Sequence, residues 1–164
     1  AKMSRTIASA LAIPSLSLSL SLSLLLAANA VASTQPGDKP LSEILVPVEA
    51  HGTVISADQG RNRWEVVVCE RIGNCTEVYL DRATGQELRR ECENDIERMP
   101  PRDARPLSAI ALSLEQRGLG GITDVEFDNR QWDVDVRNAQ GQRAELKVDP
   151  MTAEITRCRG RACP

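Results

Sequence analysis

The stretch that decides the fold is "WEVVVCERIGNCTEVYLD", Trp64 to Asp81, because it occurs again without its cysteines as "WDVDVRNAQGQRAELKVD", Trp132 to Asp149. A shift of 68 positions lays Trp64 on Trp132, Val66 on Val134, Val68 on Val136, Gly73 on Gly141 and Asp81 on Asp149. Upstream, a shift of 66 lays "PLSEILVPVEAHG" on "PLSAIALSLEQRG", so that Pro40, Ser42, Ile44 and Glu49 meet Pro106, Ser108, Ile110 and Glu115. The two shifts differ by an insertion at "GLGG". Agreement in order over two segments marks an internal repeat.

Each copy has the same grammar. In the second, Leu107, Ile110, Ala111 and Leu114 recur at helical spacing and Gly118 supplies a stop, which predicts a helix over 107–117. Three alternating strands follow. "ITDVEFD" sets Val125 and Phe127 against Asp124, Glu126 and Asp128; "WDVDV" sets Trp132, Val134 and Val136 against Asp133 and Asp135; "RAELKVD" sets Ala144, Leu146 and Val148 against Glu145, Lys147 and Asp149. A fourth strand is expected around Glu154 to Cys158. Such alternation implies an antiparallel sheet with one face under the helix and one face in water. In the first copy Pro47 is expected to kink or shorten the helix.

The fold class read from this pattern is α+β, two tandem units, each a short helix packed on a small antiparallel β-sheet. The expected units are residues 40–92 and 106–158, joined by a charged, proline-bearing linker over 93–105, with a tail over 159–164. Residues 33–39 form a short N-terminal segment. Before them, Lys2 and Arg5, an apolar run from Ile7 to Leu26 and "AANAVAS" read as a secretory signal peptide over 1–32, cleaved after Ala30 or Ala32. No stable membrane association is expected after cleavage, and the location is periplasmic or secreted.

Without Lys2 and Arg5 the chain has 18 basic against 23 acidic side chains, a net charge of −5. That balance disfavours nucleic acid, which rewards a basic face. The aromatic residues are Trp64, Tyr79, Phe127 and Trp132, too few for a base-stacking platform.

The run of a short helix, a Gly, a strand, "W-x-V-x-V", a Gly-containing turn and a strand ending in "V-D" before "T-G/A-E" resembles the PepSY domain. The closest pieces are "RWEVVV…YLDRATGQE" and "QWDVDV…LKVDPMTAE". The resemblance implies a helix on an antiparallel sheet, no catalytic residues, and a role like that of protease propeptides, which inhibit and assist folding. A protein or peptide is then the expected partner, a secreted protease among the candidates. Asp81 and Asp149, with Thr84 and Thr152, transfer as turn formers. Ala153 stands where Gly85 stands in the first copy, which predicts a different turn there.

Cys69 and Cys75 replace Arg137 and Arg143, which bracket the turn of the other copy, so they face each other across a hairpin mouth in a protein bound for an oxidising compartment. That favours a disulfide over a zinc site, which wants four ligands, or a redox pair, which is more often Cys-x-x-Cys. Cys158 pairs with Cys163 on spacing, the rival being a bridge from Cys92 to either; one cysteine of five is left over.

The candidate partner-binding face is Asp133, Asp135, Glu126 and Glu145, outward-pointing on their strands. The lone His51 reads as a helix-end residue, and Trp64 and Trp132 read as core anchors. No catalytic, cofactor or metal residues are expected. The function expected is a non-enzymatic binding or modulating module; the alternatives are a metal or redox sensor using the cysteines and a small hydrolase using paired carboxylates.

Overall fold

The computed structural model describes residues 37–164. The signal peptide expected over 1–32 and the start of the N-terminal segment lie outside the described residues. The run helix–strand–strand–strand–strand occurs twice: α1 (Leu41–Glu49), β1 (Thr53–Gln59), β2 (Arg63–Arg71), β3 (Asn74–Asp81), β4 (Glu87–Glu93), then α2 (Leu107–Gln116), β5 (Gly121–Asp128), β6 (Gln131–Arg137), β7 (Arg143–Val148) and β8 (Ile155–Gly160). The architecture is α+β, as the alternation predicts. The strands of both runs nevertheless share one sheet, in the order β4-β3-β2-β1-β5-β6-β7-β8.

The join between the runs is β1 against β5, antiparallel. Ala57 pairs with Val125, its own counterpart under the shift of 68, while Ser56 pairs with Glu126 and Asp58 with Asp124. A strand paired with its own counterpart in this way sets a local two-fold axis at the Ala57–Val125 pair.

The helices obey the same symmetry. Leu41, Ile44, Leu45 and Val48 of α1 and Leu107, Ile110, Ala111 and Leu114 of α2 are buried on one face of the sheet, in a single core with Trp64, Val66, Trp132, Val134 and Leu146. Both helices begin after a proline, Pro40 or Pro106, that offers no side-chain cap. The caps come from across the axis. Glu115 accepts from the Ser42 N–H (3.1 Å) and hydroxyl, and Glu49 accepts from the Ser108 N–H (2.8 Å) and hydroxyl. A carboxylate at the N-terminal end of a helix satisfies orphan donors and opposes the positive end of the helix dipole.

Three local details complete the fold. The helix α1 carries Pro47 inside it and is nine residues long, against ten for α2. Cys92 and Cys158 lie within β4 and β8. Ala153 takes the left-handed conformation of Gly85, φ 61° against 74°, and closes the same turn, its N–H on Asp149 O at 2.9 Å as Gly85 N–H is on Asp81 O at 2.8 Å. An added Cβ at Gly85 would touch Ile44 at 3.7 Å, an ordinary contact, and the Ala153 methyl is buried in the core, so packing there offsets the backbone strain.

Candidate functional site

The face of the sheet away from the helices holds the expected residues, and the register shows how they meet. One row runs Asp58, Asp124, Asp135, Glu145 and Arg159, each paired with the next across β1, β5, β6, β7 and β8. The next row runs Ser56, Glu126, Asp133, Lys147 and Arg157. Asp133, Asp135, Glu126 and Glu145 are thus brought together, with a basic margin supplied by β8 and Lys147. A concavity of about 260 Å³ lies over these rows between Asp124 and Arg157.

Like charges directly opposite one another on a sheet repel. The strain is concentrated at Asp124, whose carboxyl is held above the usual carboxylate range by burial first, then by Asp58, Asp135 and Glu126. Part of the charge is neutralised within the face: Lys147 donates to Asp133 Oδ2, while Asp133 Oδ1 is buried without a partner.

Two acidic members of the site are not among the residues expected from the sequence. Asp124 was visible as an outward residue of its strand. Asp58 sits in the other half of the chain and reaches the row only through the pairing of β1 with β5, for which sequence periodicity carries no signal. The basic residues Arg157 and Arg159 lie on the edge strand, whose extent was underestimated by two residues.

The same face of the first half is occupied. Residues 94–106 run back from β4 across the sheet, and Ile96 and Met99 pack on Ile55, Val67, Cys69 and Cys75. Beside them Tyr79 lies under two guanidinium groups, those of Arg63 at 4.9 Å and Arg89 at 4.2 Å from the ring centroid.

The cysteines form two disulfides, Cys69–Cys75 between register partners on β2 and β3, with Cα atoms 4.0 Å apart, and Cys158–Cys163 tying β8 to the tail. Cys92 is a free, exposed thiol. His51 is exposed just past α1, and among the described residues no group of three or more His, Cys, Asp or Glu side chains is arranged to hold a metal ion. Asp81 and Asp149 each accept from the N–H and hydroxyl of the threonine three residues on, which holds both carboxyls below their usual range.

Residues 94–159, from the segment crossing the first half to β8, match the family described as peptidase propeptide and YPEB domain. Over these residues the chain is similar to the PepSY family. No curated protein matches the chain. The crystal structure of a Clostridium difficile 630 protein, provisionally described as a lipoprotein, is similar at 13% identity and a TM-score of 0.45, over 77% of this chain and 96% of that one. The similarity to the PepSY family and the two disulfides fit an exported protein. Among the described residues no helix is long and apolar enough to cross a membrane.

Proposed function

We propose that this protein is a non-enzymatic binding module of the periplasm or the extracellular space, built from two PepSY units over residues 40–92 and 106–158. Its partner is a protein or peptide that lays an extended, basic segment on the open face of the second unit. The observation that carries this reading is the row Asp58–Asp124–Asp135–Glu145, four carboxylates side by side with no cation between them. A face that repels itself gains when lysine or arginine side chains arrive, and charge complementarity of this kind sets both the choice of partner and the rate of encounter.

The first unit supports the same reading from within the molecule. Its corresponding face already carries a length of irregular chain, residues 94–100, anchored by Ile96 and Met99. The second unit has charge where the first has that apolar anchorage, so its extended occupant would be held by ion pairs. Propeptide-like action on a secreted protease is one form this would take, in keeping with the description of the family.

The test is binding of a labelled lysine-rich peptide, with a glutamate-rich peptide of equal length as control. Asp133→Asn with Asp135→Asn should weaken the lysine-rich peptide about three- to tenfold at low salt, an effect that shrinks as salt rises. Equal binding by the double variant would defeat the proposal. So would hydrolysis of a peptide, ester or glycoside panel by the purified protein, lost in the double variant, which would establish the hydrolase alternative.

A further inference from the structure

The open carboxylate face carries charge of both signs, in two separate blocks. Asp58, Asp124 and Asp135 stand on β1, β5 and β6, whereas Arg157 and Arg159 stand on β8, at the far end of the rows that begin with Ser56 and Asp58. Neighbouring strands lie about 4.8 Å apart, which puts Arg159 about 19 Å from Asp58 along its row. Asp124, Asp135, Arg157 and Arg159 border the same concavity, so both blocks face one occupant. Arg157 and Arg159 are exposed, and among the described residues neither enters an ion pair.

Neither block contains its own counter-charge. The carboxylates of Asp58, Asp124 and Asp135 lie side by side; at the other end Arg157 lies opposite Lys147, whose ammonium is already engaged by Asp133. Glu145, opposite Arg159, marks the boundary between the blocks. A segment basic along its whole length would satisfy the first block and bring cations against the second. Like charges brought together across an interface count against that partner, so the arginines of β8 select as well as attract.

We propose that the segment laid on this face is charge-segregated, with lysine or arginine side chains over β1, β5 and β6 and aspartate or glutamate side chains over β8, paired with Arg157 and Arg159. The inference rests on the reading of this face as a docking surface for an extended basic segment, and it adds an acidic end to that segment. The partner chain crosses the strands and can run in either direction, because its side-chain charges and not its backbone set its place. Arg157 and Arg159 are the specificity-determining residues of the face, and the carboxylates of β1, β5 and β6 supply the attraction they refine.

The probes are labelled peptides of equal length: one of lysine throughout, one with lysines in one half and glutamates in the other, and one of that same composition in alternating pairs, which mixes both signs on each side of an extended chain. At low salt the segregated peptide should bind about three- to tenfold more tightly than the paired one. In Arg157→Gln with Arg159→Gln that advantage should vanish, while the all-lysine peptide should bind more tightly than it does to the parent. A nitroxide at the glutamate end of the segregated peptide should broaden the backbone amide NMR signals of β8, and one at the lysine end those of β5. Equal affinity for the segregated and paired peptides, an advantage undiminished in the double variant, or broadening independent of the labelled end would each overturn the inference, and the broader reading of the face would stand as long as the all-lysine peptide binds. Failure of all the peptides to bind would overturn both.

Discussion

The open faces of the two halves have the same backbone and opposite fates. In the first, Ile55, Val67 and the Cys69–Cys75 disulfide make an apolar strip that the protein covers with its own linker. In the second, the positions of Val67, Cys69 and Cys75 are taken by Asp135, Arg137 and Arg143, and that of Tyr79 by Lys147, so there is nothing for Ile96 and Met99 to grip. Burial of apolar surface fixes a covering segment locally and for good, whereas a charged face in water stays open until a partner of opposite charge arrives. The difference teaches that, in one repeated scaffold, the outward-facing residues alone can decide whether a sheet face is structural or available.

The covered face of the sheet, by contrast, is common to both halves, and the largest effects should appear there. Trp64→Ala and Trp132→Ala should each destabilise by about 3 to 5 kcal/mol, Trp132 somewhat more because it also loses the Phe127 contact. Since β1 and β5 tie both halves into one sheet, chemical unfolding followed by circular dichroism should show one transition in each variant. Two separate transitions would mean that the halves unfold independently and would break the comparison.

A smaller effect, about 1 kcal/mol each, is expected from Glu49→Ala and Glu115→Ala, which remove the caps exchanged across the axis. The two losses should match within error in denaturant titrations. Unequal losses would show that the local two-fold is not energetically shared.

The smallest expected effect sharpens the contrast between the open faces. Asp124 holds its proton more tightly folded than unfolded, so its ionisation opposes folding, and stability falls as pH rises from the ordinary carboxylate value through the raised one. Asp124→Asn should therefore raise the melting temperature at pH 7 by a degree or two, on the order of a few tenths of a kcal/mol. The gain should vanish at pH values below about 3.9, where the aspartate is protonated in both states. A gain independent of pH would place its cause elsewhere than in the carboxylate row.

Much of this was legible before any coordinates. Alternation in "WDVDV" and "RAELKVD" sorted the inward from the outward residues because the strand period is two and each strand has one dry face. The two hairpin-mouth cysteines were readable because the other copy supplied their geometry in advance. The turn at Ala153 misled because steric preference argues for glycine, while the methyl gains burial at that position.

What the sequence by itself determined was local: the strand faces, the helix stripes, the turns and the repeat, all set by contacts between residues close along the chain. Tertiary structure alone decided that the halves share one sheet, that Glu49 and Glu115 cap each other's helices, and that Asp58 joins the carboxylates of β5, β6 and β7. Those features depend on which edge of one half meets which edge of the other. A periodic pattern states which way a side chain points, and it is silent on the strand that lies next to it.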